Sequence, residues 1–123
     1  MKKIVFLDEY SLGGNDLSSI KSLGDYTGYD RTSADQVLER CKGAKVIITN
    51  KVYISRETMA QLPDLKLIAI SATGMNNVDL EAAAELGIEV KNVSGYSTYS
   101  VAEATLCGAL SLLKNVSYYD NYF

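Results

Sequence analysis

The chain has 123 residues, room for one compact domain and not for two full ones. Hydrophobic residues make up 47% and charged residues 22%, an ordinary globular balance that excludes disorder, collagen-like repeats and low complexity. Twelve Lys and Arg against fifteen Asp and Glu leave a net charge of −3 with no basic stripe, which argues against nucleic acid or an acidic membrane as partner.

Short apolar runs alternate with stretches of helical period. Residues 4–7, Ile-Val-Phe-Leu, predict a buried strand and are too few for a signal-peptide core. Leu17, Ile20 and Leu23 recur at helical spacing before Gly24, and a weaker strand follows over residues 26–29. Ser33-Ala34-Asp35-Gln36 has the form of a capping box, opening a helix that carries Val37, Leu38 and Cys41 and stops at Gly43. Residues 46–48 give the third strand. Ser55 caps a short helix bearing Met59 and Leu62, which Pro63 ends, and residues 65–70 form the fourth strand. Asn77-Val78-Asp79 opens a helix through Ala82, Ala83 and Leu86 to a C-terminal cap at Gly87, and residues 88–93 form the fifth strand.

Five strands alternating with helices predict an α/β fold: a doubly wound, flavodoxin-like parallel sheet over residues 1–94. The last segment differs. Ser100-Val101-Ala102-Glu103 has a second capping-box form, and no charged residue lies between Ala104 and Leu113. One long C-terminal helix over about 98–120 follows, too short in its apolar part to span a bilayer and best buried on several sides. Such a helix needs a partner, either a following domain or a second copy, so self-association through 98–120 is expected. The closing aromatics, Tyr118, Tyr119, Tyr122 and Phe123, read as packing surface.

Histidine is absent, which removes the commonest general acid/base. With only Cys41 and Cys107, far apart, neither a zinc site nor a thiol–imidazole nucleophile can be assembled, and buried thiols of a cytoplasmic protein are expected. In open parallel sheets ligands bind beyond the carboxyl ends of the strands, here Asp8-Glu9, Thr49-Asn50-Lys51, 71–77 and 93–98. The stretch from Ser71 to Asp79 runs through Gly74 toward a helix start, so N–H groups at Gly74 and Met75 offer a site for a carboxylate or phosphate; the alternative is a plain βα loop turned by Gly74. Asp8 and Glu9 have the place of a metal-binding acidic pair in a phosphate-accepting receiver domain, but the third strand ends in Thr49-Asn50 where the acceptor aspartate is needed. Solvated surface acids are the better reading. No GxGxxG exists; Leu12-Gly13-Gly14-Asn15 lacks the third glycine.

The runs 4–8, 46–51, 72–84 and 88–93, with Tyr96-Ser97 and Ser100-Val101-Ala102-Glu103, closely resemble the N-terminal part of D-isomer-specific 2-hydroxyacid dehydrogenases, most of all the glycerate dehydrogenase or hydroxypyruvate reductase group. The resemblance covers essentially the whole chain. It implies a substrate-binding domain over 1–94 and a connector helix over 95–123 that leads to an NAD(P)-binding domain not present here. It also implies that Thr73, Gly74 and Met75 receive the substrate carboxylate, that Asn50 and Lys51 line the substrate side, that Tyr96 and Ser97 form its rim, and that Val101 approaches the nicotinamide. The family's glycine-rich fingerprint and its catalytic arginine, glutamate and histidine lie beyond the matched region, and Arg31, Arg40 and Arg56 match none of them. Two positions depart from the family's pattern: Ala104 stands where histidine is frequent, and Tyr99 where a charged residue is common.

The implied function is the N-terminal portion of an NAD(P)-dependent oxidoreductase acting on the CH–OH group of a small 2-hydroxy acid, such as glycerate/hydroxypyruvate or glyoxylate. NAD or NADP belongs to the full-length enzyme, with none expected on this chain, no catalytic residue within it, and no activity in isolation. The alternative is a stand-alone regulatory module that binds a small carboxylate.

Overall fold

The computed structural model describes residues 1–122 and contains one all-parallel sheet. Its strands are β1 (Lys3–Phe6), β2 (Asp25–Gly28), β3 (Val46–Thr49), β4 (Leu67–Ile70) and β5 (Glu89–Lys91), in spatial order β2-β1-β3-β4-β5. The connections are α1 (Ser18–Lys21), α2 (Val37–Cys41), α3 (Arg56–Ala60) and α4 (Leu80–Glu85), followed by α5 (Thr98–Leu113) and α6 (Val116–Tyr122). This is the expected doubly wound α/β arrangement, with β1 and β2 each starting one residue earlier than expected, β3 one residue longer, and β4 and β5 shortened to Leu67–Ile70 and Glu89–Lys91.

Side chains alternate across each strand and so sort onto two faces. Val5, Leu7, Ile47, Ile68 and Ile70 point to one face and are sealed by Val37 and Cys41 of α2, Met59 of α3, and Ala82 and Ala83 of α4. Ile4, Phe6 and Ile48 point to the other, where Leu17 and Ile20 at α1 supply the cover. The helices begin and end by local chemistry visible in the sequence. Ser33 and Gln36 form the capping box before α2. The Ser55 hydroxyl accepts from the Thr58 amide at 3.2 Å, and the Asp79 carboxylate accepts from the Ala82 amide at 2.9 Å. Gly43 and Gly87 stop α2 and α4 at φ of +74° and +69°, a region that residues with a Cβ rarely enter.

The C-terminal segment corrects several expectations. The single helix over 98–120 is two helices, because Asn115 takes a left-handed conformation (φ 52°) that only glycine and asparagine enter readily. The second capping box does not form: α5 starts at Thr98, which places Ser100 inside the helix with Ser97 at the N-cap. No residue of α5 or α6 is buried, against the expected burial on several sides, and Cys107 is exposed while Cys41 is fully buried. Among the aromatics, Tyr118 stacks on Tyr122 and meets Tyr119 edge-on; Phe123 lies outside the described residues. Among the described residues no helix is long and apolar enough to cross a membrane.

Burial pushes the Cys41 thiol up from 9.0 to about 11. A thiol raised in the folded state favours folding below its unfolded value, and that contribution is lost as pH climbs from 9.0 through about 11. Thermal melts of the wild-type chain should therefore fall more steeply over this alkaline window than those of Cys41→Ala. In the native protein a thiol reagent should modify Cys107 alone, with Cys41 reacting only after unfolding.

Candidate functional site

The carboxyl ends of the strands open on one edge of the sheet, and the loops leaving them build the site. Its organising group is Asp8, directly after β1. The carboxylate is buried, 1% exposed, and among the described residues no cation pairs with it. It accepts instead from two backbone amides of the loop after β3: Asn50 at 2.9 and 3.1 Å and Lys51 at 2.6 Å. Backbone N–H donors stabilise a charged carboxylate much as a helix N-terminus does. The reading of Asp8 as a solvated acid is thus corrected. β1 lies between β2 and β3, so a residue at its exit faces neighbouring loops on both sides and not water. Glu9 is half-buried and accepts from the Tyr26 hydroxyl, whose pKa is raised by burial and by that carboxylate. Gly28 leaves the room: a Cβ there would fall inside the Glu9 carboxylate.

A second brace holds the same loop from the other side. Asn77 donates through Nδ2 to the carbonyls of Asn50 (3.2 Å) and Val52 (3.3 Å), and Ile54 bridges to Val78. The loop after β4 is tied in turn to the exit of β5, because Thr73 donates to the Val93 carbonyl at 3.0 Å and Asn92 donates to the Thr73 carbonyl at 2.7 Å. Two clefts result. One of about 250 Å³ is lined by Asn50, Lys51, Ala72, Gly74, Asn76 and Asn77. The other, of about 390 Å³, is lined by Ser11, Leu12, Asn15, Asn50, Ser71, Val93 and Tyr96. Asn50 is the wall between them.

The smaller cleft has the chemistry of an anion site. Lys51 supplies a cation, and the N–H groups of Gly74 and Met75 have no acceptor among the described residues. These amides do not sit at a helix N-terminus as expected, since the turn through Asn77 and Val78 separates them from α4, which starts at Leu80. Gly74 also has no positive φ; a Cβ on it would instead approach the Asn76 side chain at 3.3 Å. The side-chain oxygens of Asn50 and Asn77 are buried without a donor, so the polar demand left unmet by the fold gathers in this floor.

Of the residues singled out from the sequence, Asn50, Lys51, Gly74 and Tyr96 line the clefts, while Thr73 braces the loop behind them. Met75 lines neither cleft, and its side chain packs on the core. Ser97 is the N-cap of α5, its carbonyl accepting from Val101 at 2.8 Å, and Val101 stands exposed on α5, lining neither cleft. Asp8, Asn77 and the Ser11–Leu12 wall were missed as site builders. An acid at the exit of a central strand was the available signal for Asp8. Among the described residues no group of three acidic, thiol or imidazole side chains could hold a metal ion.

Comparison with known proteins decides the family. The model of the D-isomer specific 2-hydroxyacid dehydrogenase catalytic domain matches residues 4–119. The chain belongs to this family. It is 50% identical, over 92% of its length, to a Haemophilus influenzae protein named for 2-hydroxyacid dehydrogenase activity, covering 36% of that protein. It is 35% identical, over 96% of its length, to a hydroxypyruvate reductase of Blautia hydrogenotrophica, covering 38% of it. Among solved structures, the NAD-dependent formate dehydrogenase of Staphylococcus aureus in complex with NAD matches 95% of the chain with a TM-score of 0.72 and 26% identity, and 40% of that protein is covered. The chain thus spans little more than a third of the length of the curated relatives it matches.

The described residues do not form a cradle for a dinucleotide at the β1 exit. The β1 exit is closed by the buried Asp8 carboxylate, which would repel a pyrophosphate, and Gly13-Gly14 precede an α1 of only four residues. Replacing Asp8 by Ala should cost about 1–3 kcal/mol of stability, since the Asn50 and Lys51 amides lose their acceptor, and Asp8→Asn should cost less. Denaturant midpoints, with hydrogen exchange read at Asn50 and Lys51, check this.

Proposed function

We propose that the chain is the substrate-holding portion of an NAD(P)-dependent oxidoreductase that acts on the CH–OH group of a small 2-hydroxy acid, with glycerate/hydroxypyruvate or glyoxylate as the substrate pair, and that it does not turn over alone. The observation that carries this reading is that Gly74, whose amide has no acceptor among the described residues, shares a cleft with the Lys51 cation, with the equally unpartnered Met75 amide next along the chain. A 2-keto acid presents a carboxylate next to a carbonyl. The Thr73–Met75 loop receives the carboxylate, Asn50 and Lys51 line the flank, and Tyr96 and Ser97 form the outer rim.

Residues 1–94 are the substrate domain, and 95–123 lead toward further protein that brings NAD or NADP with the hydride-transfer groups; Val101 faces that side. In the chain by itself the exposed 98–120 segment meets a second copy. A reducing, cytoplasmic setting is part of the same reading, in keeping with two unpaired cysteines.

Amide NMR of the isolated chain titrated with oxalate or hydroxypyruvate tests the site. Shifts should concentrate at Gly74, Met75 and Lys51, with affinity of about 1 mM, and Lys51→Ala should weaken it about tenfold. Addition of NADH and hydroxypyruvate should yield no turnover. If Gly74 and Met75 stay unmoved while other residues respond, the site is elsewhere; if acetate binds as tightly as oxalate, a general carboxylate-binding module is the better description.

A further inference from the structure

Leu12 and Asn15, at the two ends of the Gly13-Gly14 pair, line the cleft of about 390 Å³, with Ser11 just before them. Gly13 and Gly14 have φ of +61° and +81°, so the chain reverses there. The reversal brings Asn15 back onto Leu12, whose carbonyl accepts from the Asn15 amide at 3.3 Å and from Asn15 Nδ2 at 2.6 Å. Ser11 is fixed in a similar way, because its hydroxyl donates to the Asp8 carbonyl at 2.8 Å.

These bonds decide what the cleft can recognise. Each spends a hydrogen on the backbone and leaves an oxygen over: Ser11 Oγ keeps its lone pairs, and Asn15 Oδ1 accepts from no donor among the described residues. In the same lining the Ser71 hydroxyl donates to the Thr49 carbonyl at 3.4 Å, and Asn50 Oδ1 is buried without a donor. Among the described residues no charged side chain lines this cleft, whereas Lys51 lines the smaller one. Acceptors without a cation disfavour a phosphate or a second carboxylate, and an apolar substituent would leave them unmet. A neutral group that donates a hydrogen bond satisfies them. The two clefts meet at Asn50, so a ligand held by its carboxylate in the smaller one extends its further carbons into the larger. We propose that Ser11 and Asn15 are specificity-determining residues that read a hydroxyl on the carbon beyond the keto group, selecting hydroxylated 2-keto acids over alkyl and phosphorylated ones. This rests on the reading of the Gly74 loop as the carboxylate site.

Amide NMR titrations of the 123-residue chain with pyruvate and with hydroxypyruvate, which differ by one hydroxyl, test the assignment. Both acids should move Gly74 and Met75. Hydroxypyruvate alone should move Ser11 and Asn15 and should bind about tenfold more tightly, and its 3-phosphorylated form should bind no better than pyruvate. In Asn15→Leu, of similar volume, and in Ser11→Ala, the advantage of hydroxypyruvate should shrink to about twofold with pyruvate affinity unchanged, while Ser11→Thr, which keeps the hydroxyl, should retain it. Circular dichroism confirms the fold of each variant. Equal affinity of the wild type for the two acids, or a preference that survives both N15L and S11A, overturns the proposal. If hydroxypyruvate moves Ser11 and Asn15 while neither acid moves Gly74 and Met75, the carboxylate reading falls and the hydroxyl site stands. If both acids move Gly74 and Met75 alike and leave Ser11 and Asn15 still, the carboxylate reading stands and the hydroxyl site falls.

Discussion

A parallel sheet must be covered on both faces, and every strong feature of this chain follows from how that cover is distributed. The three central strands, β1, β3 and β4, are short and nearly continuous apolar runs, so neither face of the sheet's middle can be left to water. Val5, Leu7, Ile47 and Ile68 are sealed by three helices, whereas Ile4, Phe6 and Ile48 have one helix of four residues. The imbalance leaves an apolar groove on one side of the molecule and an uncovered apolar helix at its end. Both are products of a single topology.

The same topology sends all strands out at one edge, and there the constraint becomes electrostatic. A buried carboxylate without a counter-charge is costly unless donors surround it. Asp8 meets that condition by taking the Asn50 and Lys51 amides, and in doing so fixes the path of the loop that carries them. Asn77 holds the other side of that loop. The amides of Gly74 and Met75 are left without an acceptor among the described residues once this bracing is complete, and Gly74 shares a cleft with Lys51.

Much of the fold was legible because it rests on local signals. Capping residues Ser33, Ser55 and Asp79 and the stopping glycines 43 and 87 act within a few residues of themselves, so spacing alone locates them. Asp8 was misread because its environment is made by residues 42 and 43 positions away, which no window contains. The break at Asn115 was missed for another reason: asparagine is compatible with a helix interior as well as with the left-handed turn, and the flanking leucines and tyrosines favour continuation. Ser100-Val101-Ala102-Glu103 matched a capping pattern, but Ser97 had already begun the helix one turn earlier. The place of the candidate clefts beyond the strand ends followed from the topology; their bracing did not.

The cross-bracing of the β3 and β4 loops bears on how a ligand would be held at this edge of the sheet. With Asp8, Asn77 and the Ile54–Val78 bridge fixing three sides, the floor of the cleft is preorganised, so little conformational entropy remains to be lost when a ligand arrives. The opposite side is open to solvent, and a bound anion there keeps part of its hydration. A surface closing over it and expelling that water would tighten binding while leaving the floor unmoved.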